Sequence, residues 1–185
     1  MRNNDVKSRL EVGNEKFRAS IDPVVLVRLA ENGQAPFVAI LTCSDSRVVP
    51  EKLFNLSLGD AFVVRTAGNS ASDSAVCGSL EYAVGKLNVR ALLVLGHTGC
   101  GAVRAVLDGY STECLSSTIR DIERARSRLS GEDANDPDAI SEANVRLQLR
   151  LLEDNCPAVR QAVADGKLKL LGAMYDLSKG SVRFL

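Results

Sequence analysis

The stretch "RALLVLGHTGCGAVRAVLDG", residues 90–109, decides the fold class of this chain. Its first part is a short apolar run, which is typical of a strand buried on both faces. A glycine-rich turn follows, and "GAVRAVLDG" then has the apolar spacing of a helix. A buried strand that leads through a tight turn into a helix is the repeating unit of a parallel sheet covered by helices.

Other parts of the chain repeat this alternation. Strand patterns occur in "PFVAILT" (36–42), "AFVVRT" (61–66) and "LKLLGAMYD" (168–176), and "SVRFL" at the end is a candidate for a short last strand. Helix patterns occur in "SDSAVCGSLEYAVGKL" and in residues 117–165, with a soft break at "GEDANDPD". The sequence therefore predicts an α/β fold with a mostly parallel central β-sheet of four to five strands flanked by helices.

The N-terminal part has a different pattern. Residues 1–33 predict two helices, the second with Asp22 as N-cap, Pro23 in its first turn and Gly33 as its stop. We expect a single domain over residues 1–185, in which 1–33 form an N-terminal helical arm and 34–185 form the α/β core with the C-terminal helices and last strands.

Composition excludes several classes of partner. The 23 basic residues balance the 23 acidic ones, so we expect no general attraction to nucleic acid or to anionic membranes. The N-terminus lacks the apolar core of a secretory signal, which predicts a cytoplasmic location. In a reducing compartment the five cysteines are expected to be free thiols, metal ligands or catalysts rather than disulfides.

Chemically versatile side chains follow two of the predicted strands. Cys43, Asp45 and Arg47 follow the first strand, and His97 and Cys100 follow the third. The carboxyl ends of parallel strands share one edge of a sheet, so these groups are expected to lie together. Two thiolates and one imidazole suit zinc, and three protein ligands leave an open position, as in a catalytic zinc site.

Other interpretations of these residues stay open at this point. A lone histidine is often only a hydrogen-bonded polar residue, and Asp45 with Arg47 could be a structural ion pair. Cys43 could also be a nucleophile, with Arg47 lowering its pKa and His97 as base. Against that, "CSDSRVV" has no glycine to cradle an anion and places a carboxylate beside the thiol.

The motifs together resemble those of the β-class carbonic anhydrases. They are C-x-D-x-R after a strand, "GDAFVVRTAGN", "GSLEYAV" and "VLGHTGCGAV", flanked by "GNEKF" and "LLGAMYDLSKGSVRF". The resemblance implies zinc ligation by Cys43, His97 and Cys100, one ion per chain, with Asp45 and Arg47 as the catalytic pair. It also implies a substrate pocket shaped by Gln34, Phe62, Tyr82 and Gly101, partly across a dimer interface, and a closed state in which Asp45 becomes a fourth ligand.

The function implied by this resemblance is reversible hydration of carbon dioxide to bicarbonate and a proton by zinc-bound hydroxide. The expected partners are carbon dioxide, bicarbonate, water and a second copy of the chain, in a homodimer that can assemble further into a tetramer or octamer. Hydrolysis of carbonyl sulfide or carbon disulfide on the same zinc site is the main alternative. A non-catalytic, zinc-stabilised structural protein is the second.

Overall fold

Two helices begin the part of the chain that the computed structural model describes, residues 3–185. They are α1 (Asn3–Ser20) and α2 (Pro23–Asn32). The Asp22 side chain caps α2 by accepting a hydrogen bond from the Val24 amide at 2.9 Å, and the chain leaves this helix through Gly33 at a φ of 69°. Residues up to Ala35 form one compact unit and Pro36–Leu185 form a second. The single-domain organisation stays a prediction.

The second unit is built on a five-stranded sheet with the order β2-β1-β3-β4-β5. Four strands are parallel, and β5 is antiparallel to β4 after a tight turn. The predicted mostly parallel sheet is confirmed, including the short last strand. The strands are β1 (Val38–Cys43), β2 (Ala61–Thr66), β3 (Ala91–His97), β4 (Lys169–Asp176) and β5 (Ser181–Phe184).

Helices connect the strands as the sequence pattern indicates, with two additions. A short helix begins at Pro50, and the predicted helical segment 117–165 breaks a second time at Cys156 because Pro157 cannot continue the preceding helix. The helices are α3 (Pro50–Leu53), α4 (Ser74–Gly85), α5 (Gly101–Leu107), α6 (Ser116–Arg126), α7 (Pro137–Asn155) and α8 (Pro157–Ala164).

Both faces of the central strands are apolar. In β3, Leu92 and Val94 belong to the cluster that packs against α4, α7 and α8, whereas Leu93 and Leu95 belong to the cluster on the other face. The second face also includes large exposed side chains, since Phe37 and Phe184 are 53% and 57% exposed. An apolar face with large exposed side chains is a candidate surface for contact with a partner.

Gly96 lets α7 approach β3 closely. A methyl group at this position would lie 2.5 Å from Val145 Cγ2 and 2.8 Å from Met174 Sδ. We therefore expect Gly96→Ala to lower the free energy of unfolding by about 1–3 kcal/mol through overpacking, measured by urea denaturation. Gly78→Ala on α4, where nothing lies within 4 Å of the added methyl, is the matched control. Equal losses in both variants would contradict this account of the packing.

The expectation of free thiols is wrong for two of the five cysteines. The structure pairs Cys77 on α4 with Cys156 before α8 as a disulfide, with a Cα–Cα separation of 5.9 Å. Spacing could not indicate this pair because 79 residues separate the two positions and only the packing of α4 against α8 brings them together. Cys43, Cys100 and Cys114 are free, the first two buried and the third exposed.

Among residues 3–185, no helix is both long enough and apolar enough to cross a membrane.

Candidate metal centre

The strand order changes direction at β1, because β2 lies on one side of it and β3 on the other. In open sheets, ligands bind beyond the carboxyl ends of the strands at such a point. Here β1 ends at Cys43 and β3 ends at His97, while Cys100 follows in the turn that enters α5. All three side chains are buried, and their ligand atoms lie within 4.8 Å of one another.

The ring of His97 is oriented with one nitrogen toward the centre of this cluster. Its Nδ1 lies 2.9 Å from the Thr98 carbonyl oxygen, which makes Nδ1–H the donor and leaves the Nε2 lone pair free. Nε2 is fully buried and has no hydrogen-bond partner in the described part of the chain. A buried acceptor without a partner is costly, so this nitrogen together with the two sulfurs fits a metal ion that prefers nitrogen and sulfur.

A hydrogen bond between the thiols of Cys43 and Cys100 shifts their pKa values in opposite directions. A hydrogen bond from the Cys100 thiol lowers the pKa of Cys43 to about 4, and the His97 ring and two backbone amides stabilise the same thiolate. The hydrogen bond with Cys43, together with burial, raises the pKa of Cys100. For His97, burial is the largest single cause and lowers the pKa, but Cys43, the Thr98 carbonyl and Asp45 together raise it, so the net pKa is raised. These contacts therefore favour the thiolate form of Cys43.

Asp45 is turned toward Arg47. The Arg47 side chain donates from Nε to Oδ1 at 2.9 Å and from Nη2 to Oδ2 at 2.7 Å, and its backbone N–H also donates to Oδ1. These charge-assisted bonds hold the pKa of Asp45 well below its usual range. Its Oδ2 is still 4.0 Å from His97 Nε2, so the carboxylate borders the cluster while it faces the guanidinium.

The backbone that carries Asp45 is held by the neighbouring strand. Arg65 on β2 donates from Nη2 to the Asp45 carbonyl oxygen at 2.8 Å. The Ser44 amide donates to the Thr66 carbonyl at 2.9 Å, which extends the β1–β2 ladder past the end of β1. The position of Asp45 therefore depends on β2 as well as on Arg47.

A cavity of about 240 Å³ opens beside the cluster. Its polar edge includes Cys43 and Asp45, and most of its wall is apolar. The remaining lining residues are Ser44, Ala67, Gly101, Ala102, Ala105, Val106, Tyr110, Leu115, Thr118 and Ile119. Apart from Gly101, those from α5 and α6 were not predicted from the sequence, because nothing in their helix pattern distinguishes a cavity wall from ordinary core.

Of the four predicted pocket residues, Gly101 lines this cavity. Phe62 on β2 and Tyr82 on α4 instead pack against each other, with ring centroids 6.2 Å apart, and Tyr82 is 47% exposed. Gln34 belongs to the unit that ends at Ala35. The pocket roles of these residues stay predictions.

A buried polar network supports the turn Ala67–Asn69, one wall of the cavity. Asp121 on α6 is 6% exposed and accepts hydrogen bonds from Ser70 Oγ at 2.6 Å, Ser72 Oγ at 2.7 Å and Gln148 Nε2 at 3.1 Å. Gln148 in turn accepts from the Ala71 amide at 2.8 Å. No local pattern indicates this network, because its members lie on three elements far apart in the chain.

The network reaches the backbone beside Cys43. Asn144 Nδ2 donates to the Gly68 carbonyl at 2.8 Å, and Gln148 Nε2 donates to Asn144 Oδ1 at 3.0 Å. Gly68 has a φ of 62°, and its amide is one of the two that stabilise the Cys43 thiolate. The polar network therefore fixes a donor at the candidate metal centre.

Removing the centre of this network should destabilise the fold. We expect Asp121→Ala to lower the free energy of unfolding by about 2–4 kcal/mol, since buried donors on Ser70 and Gln148 lose their acceptor. Chemical denaturation measures the effect. Glu123→Ala, on the same helix and 3.9 Å from Arg126 at the surface, is the control and should cost less than about 1 kcal/mol. Similar losses for the two variants would refute the role given to the network.

Comparison with known proteins identifies the family. Residues 38–182 match the sequence model of the family described as Carbonic anhydrase. The chain belongs to the carbonic anhydrase family. The matched residues include strands β1 to β4, the start of β5 and all three side chains of the candidate metal centre.

Individual carbonic anhydrases cover most of the chain. "Carbonic anhydrase 2" of Mycobacterium tuberculosis is 42% identical over 153 residues, which are 80% of this chain and 73% of that protein. "Beta carbonic anhydrase 3" of Arabidopsis thaliana is 32% identical over an alignment of 199 positions, gaps included, which covers 96% of this chain and 76% of that protein.

Solved structures place the chain in the β class. One of two tetrameric β-carbonic anhydrases from Sordaria macrospora superposes with a TM-score of 0.84 at 27% identity, covering 99% of this chain and 98% of that one. The Coccomyxa β-carbonic anhydrase in complex with acetazolamide gives a TM-score of 0.79 at 31% identity, covering 99% and 85%. The resemblance found in the sequence is thereby confirmed, while the roles of single residues stay predictions.

Proposed function

We propose that this carbonic anhydrase hydrates carbon dioxide reversibly to bicarbonate and a proton, with one zinc ion per chain held by Cys43, His97 and Cys100. The observation that supports this most is the cluster itself, two sulfurs and an unpartnered imidazole nitrogen within 4.8 Å of one another. When bound, zinc supplies Lewis acidity, which makes water a stronger acid and a better nucleophile near neutral pH.

The protein's part in binding the metal is to present deprotonated ligands in fixed directions. Hydrogen bonds lower the pKa of Cys43 and so favour its thiolate, the form that binds a metal. The bond from His97 Nδ1–H to the Thr98 carbonyl fixes the tautomer that offers Nε2. Metal binding then needs the loss of one further proton, from Cys100.

Asp45 serves as a fixed hydrogen-bond acceptor for the attacking water. Its carboxylate stays ionised and borders the cluster, with Oδ2 at 4.0 Å from His97 Nε2. An acceptor in this place orients the O–H bond of the nucleophile, so that an oxygen lone pair points at the carbon of carbon dioxide. Arg47 holds Asp45 in this direction and competes with the predicted closed state, in which Asp45 would ligate the metal.

The cavity wall suits a small linear substrate without charge. Ala67, Ala102 and Val106 offer carbon dioxide an apolar surface next to Cys43 and Asp45. Such a surface gives carbon dioxide a dry position near the nucleophile. Bicarbonate, which is charged, gains nothing from these residues and is expected to leave readily.

We further propose that the chain acts as a homodimer or higher oligomer in which Gln34, Phe62 and Tyr82 complete the pocket of a partner. The exposed ring of Tyr82 and the apolar face containing Phe37 and Phe184 support an interface. The tetrameric relatives from Sordaria macrospora also support it. The cytoplasmic location stays a prediction.

Stopped-flow measurement of carbon dioxide hydration, together with zinc analysis of the same sample, tests the function. We expect about one zinc per chain and a rate far above the uncatalysed one. Hydration of carbonyl sulfide is measured beside it, and faster turnover of that substrate would replace the proposed reaction with the alternative. Zinc near one per chain without either activity would indicate the structural alternative.

Proton release should limit turnover and make it sensitive to buffer. His97 is the only histidine in the chain, its Nδ1 bonds the Thr98 carbonyl and its Nε2 would hold the zinc, so no second imidazole is available to carry the proton to solvent. We expect kcat to rise with imidazole concentration at constant pH and ionic strength, and then to saturate. Since kcat/KM contains only the steps from free enzyme and carbon dioxide to bicarbonate release, which precede proton transfer to buffer, kcat/KM should change much less. A kcat that stays constant over a tenfold range of buffer would count against this mechanism.

A further inference from the structure

The turn His97–Cys100 is held by hydrogen bonds at each peptide group between its two candidate ligands. The Thr98 amide donates to the Tyr175 carbonyl at 3.0 Å, and the Thr98 carbonyl accepts from His97 Nδ1. The Gly99 amide donates to Asp138 Oδ1 at 2.7 Å, and the Gly99 carbonyl faces Arg47 Nη2 at 3.4 Å. One side chain in this set, Asp138, comes from α7 and has no part in the mechanism given above.

The Gly99 peptides connect Asp138 with the catalytic pair. Gly99 has a φ of 61°, so the chain reverses here and its amide and carbonyl are both directed at side chains. A carboxylate that accepts from the amide restricts rotation at Gly99, and this restricts where the carbonyl points. That carbonyl contacts the same Nη2 that holds Asp45 Oδ2 at 2.7 Å.

Asp138 is itself held in place by its own helix. It lies in the first turn of α7, where its backbone amide donates to Oδ1 of the N-cap Asp136 at 3.0 Å. Asp138 and Thr98 both line a polar cleft of about 470 Å³. Asp138 is exposed to this cleft, so its replacement leaves no buried cavity.

We propose that Asp138 is a positioning residue for this site, acting through the Gly99 peptides on Cys100 and on the Arg47–Asp45 pair. This inference rests on the proposed function and names a residue that the sequence motifs do not contain. Asp138 touches neither substrate nor metal. It fixes the turn so that Cys100 stays directed at the cluster and the Gly99 carbonyl keeps Arg47 in the position that holds Asp45.

The test compares Asp138→Ala with Asp138→Asn in the full-length chain. Alanine removes the acceptor and the charge, whereas asparagine removes only the charge and keeps an oxygen for the Gly99 amide. We expect Asp138→Ala to lose zinc to a chelator about tenfold faster and to lower kcat/KM about tenfold, the scale of contacts that orient metal ligands. Asp138→Asn should stay within about twofold of the parent in both the rate of zinc loss and kcat/KM.

Cobalt(II) substitution supplies a readout that a general loss of stability would not change. The sulfur-to-cobalt charge-transfer band and the visible bands should shift in Asp138→Ala and match the parent in Asp138→Asn. Asp154→Ala, which removes an exposed charge at the other end of α7, is the control and should match the parent. If Asp138→Ala does not fold, Asp138→Ser, whose oxygen is too short to reach the Gly99 amide, takes its place.

Two results would overturn the proposal. One is an Asp138→Ala protein with the zinc loss rate and cobalt spectrum of the parent. The other is an Asp138→Asn protein as impaired as Asp138→Ala, which would assign the effect to charge at the start of α7. Because zinc loss and the cobalt spectrum need no turnover, they decide the matter even if the parent fails to hydrate carbon dioxide, a failure that would refute the proposed function alone.

Discussion

Replacing Cys43 with serine should remove most of the zinc and lower carbon dioxide hydration by more than about 100-fold, since even contacts that only orient a ligand are worth 10- to 100-fold. The reason is the ligand atom. Hydrogen bonds lower the pKa of Cys43 and favour the thiolate that zinc binds, whereas a serine hydroxyl stays protonated and is a poor zinc ligand. Zinc analysis after gel filtration and stopped-flow hydration measure the two effects.

The matched control for this experiment is Cys114→Ser. Cys114 is a free thiol on the surface, outside the cluster, so its replacement should leave zinc content and activity at the parent values. Retention of both zinc and full activity in Cys43→Ser would show that the metal centre has been placed wrongly. Equal zinc loss in the two variants would assign the metal to nonspecific thiol binding.

Replacing Asp45 with asparagine should lower kcat/KM by about 100-fold or more while zinc content is retained, because a positioned proton acceptor contributes about 10²- to 10⁴-fold. Asparagine has the same shape but loses the charge that pairs with Arg47. Its amide nitrogen can also donate toward the cluster where the carboxylate only accepts. The measurement is stopped-flow hydration at a pH where the parent is fully active, with zinc determined on the same sample.

Asp165→Asn provides the matched control. Asp165 Oδ2 pairs with Lys167 Nζ at 2.9 Å, so its carboxylate faces a cation two residues later, as Asp45 does. This pair lies after α8 at the protein surface, and its replacement should leave kcat/KM unchanged within about twofold, as expected for a surface ion pair. Activity near that of the parent in Asp45→Asn would reduce the Asp45–Arg47 pair to a structural ion pair, the interpretation that the sequence left open.

Local patterns predicted most of the strands and helices of the core. Runs such as that in β3 are apolar at every position because both faces of the strand are buried, and this property is visible without any coordinates. The turn after each strand carries its polar residues in a short segment, so Cys43, His97 and Cys100 could be named as one group. The motifs around them also identified the family.

Contacts between distant segments could not be predicted from these patterns. The Cys77–Cys156 disulfide and the network on Asp121 both join elements that are well separated in sequence. Sequence position alone gives no distance between such residues. The same is true of Asp138, which meets the Gly99 amide across 39 residues because α7 packs over the end of β3.

By itself, the sequence determined that this chain is an α/β protein with a thiol and imidazole cluster at one edge of a parallel sheet. Alternation of buried strands and helices is a local property, and so is the choice of residues that end a strand. Only the tertiary structure decided which strands are neighbours, that His97 offers Nε2 rather than Nδ1, and that Asp45 faces Arg47. These depend on directions and distances between separate segments, which are set when the sheet, α6 and α7 pack together.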